Sequence, residues 1–150
     1  MKVENEKRKE ANFVSVIGYL HDGEHCVQDF LKKVDGVMRT HFFQYEIILV
    51  DDCCRDKSVE NVRSFVDQNA QTIPVTIVTM SVRQGVELAM NAGVDLAIGD
   101  FLFEFDSLEI DYDPNLIFEA YQKALSGYDI VSVGPKSNRN LSSSFFYKVF

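Results

Sequence analysis

Four aspartates of this chain lie just past short apolar runs, at places where a strand would end. They are Asp22, Asp51, Asp52 and Asp106. A carboxylate at such a place can accept a hydrogen bond from a nucleobase N–H or a ribose hydroxyl, or it can ligate a hard cation. Acidic residues are also common in ordinary turns, so one alone means little. Several at one edge of a sheet would form a polar binding site.

Two other motifs suggest different chemistry and are weaker. Residues 21–25 read HDGEH, which fits the H-x-x-E-H pattern of some zinc proteases. That pattern requires both histidines on one helix face, whereas Gly23 interrupts it here, so we interpret it as a polar loop. Cys53 and Cys54 are adjacent and have no second cysteine pair, so we expect them to fill a loop rather than bind a metal. No G-x-G-x-x-G, P-loop or G-x-S-x-G motif occurs.

The elements that would position these residues alternate between strand and helix. Periodicity predicts strands over residues 13–17, 46–50, 75–78, 101–105 and 128–133, and helices over residues 24–39, 59–66, 85–97 and 114–127. This alternation predicts an α/β fold with a mostly parallel sheet and helices on both faces. In such sheets, ligands bind beyond the carboxyl ends of the strands.

Length and composition agree with one α/β domain. The chain has 150 residues, of which 46% are hydrophobic, and its formal net charge is −8. An acidic domain lacks the positive field that binding to a phosphate backbone needs, so we expect no nucleic-acid partner. No apolar run reaches the roughly 20 residues of a membrane span. Three cysteines, two of them adjacent, favour a reducing compartment such as the cytoplasm. We expect a polar leader over residues 1–12, the domain over 13–135, and the start of an amphipathic segment over 136–150.

Five segments in this order resemble family 2 glycosyltransferases of the GT-A fold, a Rossmann-like sandwich. The segments are VSVIGYLHDGE (14–24), YEIILVDDCCRDKS (45–58), RQGVELAMNAG (83–93), GDFLFEFDS (99–107) and GYDIVSV (127–133). The Ser- and Phe-rich end of the chain also resembles members that use polyprenyl phosphate, in which an amphipathic helix precedes membrane-anchoring segments.

The resemblance implies that a nucleotide-diphosphate sugar is bound and its sugar is transferred to a lipid or saccharide acceptor, as in the synthesis of cell-envelope polysaccharide. It implies that Asp51 or Asp52 holds the nucleobase and ribose, and that Arg83 lies near the nucleotide. It also implies that Asp106 begins the family's Asp-x-Asp element, which faces the ribose and the metal-bound diphosphate. The predicted nucleotide-binding residues are Tyr19, Asp22, Asp51, Asp52, Arg83 and Asp106.

The chain departs from the family at the metal motif. The second Asp of Asp-x-Asp falls at Leu108, which cannot ligate a cation. Glu104 lies two residues before Asp106, so this pair is predicted to hold the divalent cation, Mg²⁺ or Mn²⁺. Further candidate ligands are Glu109, Asp111 and Asp113, and a solvated acidic loop is the alternative. The family also has a Pro near Tyr19, and Gly-Ser where this chain has Cys53-Cys54.

Some expectations concern the whole protein. No residue matches the family's catalytic base, so we expect this chain to bind donor but to be incomplete for turnover. The amphipathic segment over residues 141–150 is predicted to contact the inner face of a membrane or a second copy of the chain, or to complete the domain's own core. One alternative is a non-catalytic nucleotide-binding or scaffold domain with a degenerate metal motif. A nucleotidyltransferase is a weaker alternative, because its Gly-rich, Lys-containing loop is missing.

Overall fold

A computed structural model of the chain describes residues 8–69 and 73–134. Strands and helices alternate along these residues, as the periodicity predicts. The elements are β1 (Glu10–Leu20), α1 (Val27–His41), β2 (Phe42–Asp51), α2 (Ser58–Gln68), β3 (Val75–Thr79), α3 (Val86–Leu96), β4 (Phe101–Phe105) and α4 (Asn115–Leu125). β1 begins inside the segment predicted as a polar leader, and the predicted segment over residues 136–150 lies outside the described residues.

The sheet has four parallel strands in the order β3-β2-β1-β4. β1 pairs on one side with β2, where Ile17 is opposite Ile48, and on the other with β4, where Ile17 is opposite Glu104. The α/β fold with a parallel sheet is therefore confirmed. Because every strand runs the same way, all four end at one edge, which we call the carboxyl edge.

Helix α3 covers one face of this sheet. The buried cluster on this face consists of Ile17, Ile48, Val50, Ala89 and Met90. Gly93 of α3 faces the same strands, because a Cβ added there would lie 2.5 Å from Cγ2 of Ile17 and 2.9 Å from Cγ2 of Val50. The close approach of α3 to the sheet therefore requires glycine at this position.

Helix α1 covers the opposite face. Its apolar residues Phe30, Leu31 and Val34 are fully buried. The Phe30 ring meets the Phe105 ring of β4 edge to face, with centroids 5.1 Å apart, and it lies 3.5 Å from a Cβ built on Gly18 of β1. Helices on both faces of the sheet are therefore confirmed.

The described residues form two compact units that divide between Ile110 and Asp111. In the second unit, α4 ends where Gly127, at φ +104°, donates its N–H to the carbonyl of Ala124. The fifth strand predicted over residues 128–133 is wrong, because these residues form no strand. Their sequence favours strand, but a strand requires a hydrogen-bonded neighbour, and the sheet of the described residues consists of β1 to β4.

The helices of the described residues are 11 to 15 residues long. None of them is long and apolar enough to cross a bilayer.

Candidate functional site

Asp52 is the centre of the carboxyl edge. It follows β2 directly and is 0% exposed. Its Oδ2 accepts hydrogen bonds from the Tyr19 hydroxyl at 3.0 Å and from the Gly85 N–H at 2.9 Å, and its Oδ1 accepts from the Gln84 N–H at 2.7 Å. One carboxylate therefore joins the end of β1, the end of β2 and the loop that begins α3.

The Asp52 carboxylate stays ionised although it is buried. Burial raises its pKa, but the N–H groups of Gln84 and Gly85, the Tyr19 hydroxyl and the nearby His21 outweigh burial and hold the pKa below its usual value. These donors therefore stabilise a permanent negative charge at the centre of the site. Burial, together with the hydrogen bond to Asp52, raises the pKa of the Tyr19 hydroxyl.

Tyr19 and Arg83 lie together on the accessible side of this centre. The Arg83 guanidinium is close enough to the Tyr19 hydroxyl to oppose the rise in its pKa. The Tyr19 ring stacks with His21, with ring centroids 6.3 Å apart, and Nδ1 of His21 lies 2.8 Å from the Asp52 carbonyl oxygen. The structure thus brings together the predicted residues Tyr19, Asp52 and Arg83. The predicted site residues do not include His21, which also lies beside Tyr19 and Asp52. Its position directly after β1 is the sequence signal that could have identified it.

Asp51 and Asp22 belong to the loops that flank the centre. Asp51 is 6% exposed, and its Oδ1 accepts the Cys54 N–H at 2.8 Å. Asp22 is exposed, has φ +47°, and accepts the Arg55 N–H at 2.7 Å. Both carboxylates therefore shape the loop after β2. Cys53 follows in the left-handed region at φ +59°, which explains why the family's glycine suits this position.

Among residues 8–69 and 73–134, one group of potential metal ligands has its ligand atoms within 4.8 Å of one another: Asp22, Cys54 and Asp56. All three residues already make hydrogen bonds within the protein. Burial and a hydrogen bond with Asp51 raise the pKa of the Cys54 thiol to about 12, and its Sγ lies 3.4 Å from the Leu20 carbonyl oxygen. The Asp56 carboxylate accepts the N–H groups of Glu24 and Ser58, each at 2.9 Å. This group therefore ties two loops together.

The predicted metal pair is only partly at the carboxyl edge. Asp106 is exposed and is the first residue after β4. Glu104 lies within β4, opposite Ile17 on the same side of the sheet as α3, and is exposed. Neither belongs to a three-ligand group of the described residues. Leu108, at the family's second Asp position, is 4% exposed and packs into the core.

Two of the other three candidate acids have partners within the protein. Glu109 pairs with His25, with Oε1 and Nε2 3.1 Å apart. In the second unit, Asp113 accepts the Asn115 N–H at 3.0 Å, and Asp111 is exposed. Residues 21–25 form no helix, so the interpretation of HDGEH as a polar loop is confirmed.

The sequence model of the family described as Glycosyl transferase family 2 matches residues 24–143. The chain belongs to this family. Metal dependence is general for the family. An uncharacterized glycosyltransferase of Synechocystis is 28% identical over 91% of this chain and 43% of its own length. The undecaprenyl-phosphate 4-deoxy-4-formamido-L-arabinose transferase of Pseudomonas fluorescens is 27% identical over 89% of this chain and 38% of its own length. The chain therefore spans about two-fifths of the curated relatives it matches.

Solved structures confirm the GT-A fold. A mannosyltransferase of Pyrobaculum calidifontis, in complex with GDP-Man and Mn²⁺, superposes with a TM-score of 0.62 at 18% identity, over 75% of this chain and 32% of that one. The glucosyl-3-phosphoglycerate synthase of Mycobacterium tuberculosis, in complex with UDP, superposes with a TM-score of 0.57 at 13% identity, over 77% of this chain and 41% of that one.

Proposed function

We propose that this chain binds the nucleotide-diphosphate sugar of a glycosyltransferase at the carboxyl edge, and that the whole protein transfers the sugar to a lipid-phosphate acceptor. The observation that carries the proposal is the junction at Asp52, which gathers two strand ends and the start of α3 around one buried charge. Open α/β sheets bind ligands at this edge. The names of relatives that act on undecaprenyl phosphate support the choice of acceptor.

The residues at this edge divide into two roles in the proposal. Tyr19 and Arg83 contact the nucleotide directly, because the ring offers a stacking surface and the guanidinium offers a fork of donors for phosphate. Asp106 faces the ribose and diphosphate from the end of β4. Asp51 and Asp52 are almost fully buried and already accept hydrogen bonds from the protein. Asp52 therefore acts mainly by positioning Tyr19 and Arg83, and Asp51 by shaping the loop after β2.

Sugar transfer releases a nucleoside diphosphate, whose negative charge grows as the glycosidic bond breaks. A positive group fixed beside the diphosphate stabilises that charge without reorganisation. Arg83 supplies this group in our proposal, and Asp52 holds its loop by accepting the N–H groups of the next two residues. The acceptor site and the catalytic base belong to the whole protein.

The cellular setting follows from the acceptor. A lipid phosphate is reached at a membrane surface, so we propose that the protein works at the cytoplasmic face of a membrane. The predicted contact of residues 141–150 with the membrane or with a second copy stays a prediction, because this segment lies outside the described residues.

Calorimetric titration with GDP, UDP and their sugar conjugates tests the proposal. We expect one of these nucleotides to bind, and Arg83→Gln to weaken its binding about tenfold, as removal of a charge-assisted contact does. Arg63→Gln is the matched control, because Arg63 is exposed on α2 and loses the same charge. The proposal would be contradicted if none of the four ligands (GDP, UDP, the GDP-sugar and the UDP-sugar) bound, or if both variants weakened nucleotide binding equally.

The burial of Leu108 favours a second candidate, a domain that binds the nucleotide without catalysing transfer. The full-length protein separates the two functions. Transfer of radiolabelled sugar to polyprenyl phosphate, detected in the lipid extract, supports the enzyme. Nucleotide binding with no lipid product supports the non-catalytic domain.

A further inference from the structure

Leu108 occupies the position of the family's second Asp, and its side chain belongs to the core. It is 4% exposed. Its Cδ2 would lie 2.9 Å from a Cβ added at Gly18, and Cδ2 of Leu49 would lie 2.8 Å from the same point. Leu108 therefore fills the space that a side chain at position 18 would need. The two positions are coupled, because glycine in β1 is what allows the leucine to turn inward.

The loop that follows Asp106 is also attached through two of its residues, Ile110 and Glu109. Ile110 is 5% exposed, and its carbonyl accepts a hydrogen bond from Nζ of Lys33 at 2.7 Å. Lys33 also pairs with Asp29, at 2.6 Å. Glu109 pairs with His25. These contacts hold the loop against α1 and against the loop before it, so the loop has a fixed conformation in which position 108 points away from the carboxyl edge.

These contacts leave one carboxylate of the metal motif at the carboxyl edge. Asp106 is exposed at this edge, Glu104 is also exposed but lies two residues earlier, within β4, and Glu109 is engaged with His25. A divalent cation on the diphosphate would reach the protein at this edge through a single exposed carboxylate. An exposed ion pair of this kind changes an equilibrium by less than about fivefold. The residues present therefore do not fit a protein-held cation.

We propose that this chain binds the diphosphate of its donor without a divalent cation held by the protein, and that protein cations compensate the phosphate charge instead. The inference rests on the proposed function, because it concerns the same donor. Arg83 is the cationic group beside Tyr19, so donor binding should weaken as salt increases. The structural cause is the coupled pair Gly18 and Leu108, because it places the side chain at the position of the family's second Asp in the hydrophobic core.

Two measurements test the inference. In the first, the nucleoside diphosphate that binds is titrated in Mn²⁺ and in EDTA. We expect Mn²⁺ to tighten binding by no more than fivefold, and a larger tightening overturns the inference. In the second, the electron paramagnetic resonance signal of free Mn²⁺ is followed as protein without nucleotide is added.

The second measurement compares Asp106→Asn with Asp95→Asn, which removes the same charge from an exposed position on α3. We expect both variants to change Mn²⁺ binding equally. A specific loss in the Asp106 variant overturns the inference. If no nucleotide binds in any buffer, the proposed function fails, and the Mn²⁺ signal still decides whether the protein holds a cation.

Discussion

Replacing Asp52 with asparagine should destabilise the fold although the two side chains have the same shape. The carboxylate accepts two backbone N–H groups and one hydroxyl. An asparagine amide has one oxygen, so its NH₂ group must face at least one of these donors. Two of the donors lie 32 and 33 residues away in the chain, so the lost contacts are tertiary.

The magnitude follows from the partners. Facing the amide NH₂ toward the Gln84 N–H removes one bond to a charged group, which costs about 1.5–3 kcal/mol. The two remaining bonds lose their charge assistance, at about 0.5–1 kcal/mol each. A neutral amide is cheaper to bury than a carboxylate, which offsets part of this loss. We expect the free energy of unfolding to fall by about 2–4 kcal/mol at pH 7.

Urea denaturation followed by circular dichroism measures this change, with Asp95→Asn on the exposed face of α3 as the control. The control should stay within about 0.5 kcal/mol of the original chain. A loss below about 1 kcal/mol for Asp52→Asn would refute the reasoning, because it would mean that the three hydrogen bonds contribute no net stability.

Three further predictions concern other parts of the fold. Gly99→Ala places a Cβ 2.6 Å from a backbone nitrogen of β1, so the urea midpoint should fall. A Cβ at Gly36 has no neighbouring atom within 4 Å, so Gly36→Ala should raise the free energy of unfolding by about 0.5–1 kcal/mol. Equal urea midpoints for the two variants would contradict this. Because burial and a hydrogen bond raise the pKa of Cys54 to about 12, iodoacetamide at pH 8 should modify it at least ten times more slowly in the folded than in the unfolded chain, as measured by mass spectrometry of its peptide. Hydrogen bonds outweigh burial and lower the pKa values of Asp52 and Asp56. The stability that these two carboxylates give the fold should therefore be complete above about pH 4 and be lost as the pH falls further. An unchanged urea midpoint between pH 6 and pH 3 would refute this.

The sequence predicts the sheet well because the central strands β1 and β2 are largely buried and contain continuous apolar runs. The edge strands β3 and β4 are rich in β-branched and aromatic residues. The sequence predicts that β1 and β2 begin later than they do, because polar residues such as Asn12 in β1 and Gln44 in β2 interrupt the apolar pattern near their starts. It fails at residues 128–133, whose strand-forming residues pair with none of the four described strands. Local propensity cannot report the absence of a neighbour.

The site is predictable in its location and less so in its chemistry. The rule for parallel sheets brings Asp52 and Tyr19 to one edge, as the sequence indicates. It does not reveal that the Asp52 carboxylate is already occupied by Gln84 and Gly85, because no local pattern encodes these contacts. The inward turn of Leu108 likewise depends on Gly18, a residue of another strand.

The central position of β1 has a consequence for how the chain is made. Of the four described strands β1 is synthesised first, yet one of its two edges is completed by β4, which comes last of the four along the chain. Phe13 and Asp100, which tie these strands together, are 87 residues apart. During translation this edge of β1 stays open until β4 leaves the ribosome, so the nascent chain carries an open, aggregation-prone strand edge while the residues between β1 and β4 are made. Such distant pairing also predicts slow refolding, since loops of this length must close before the sheet forms.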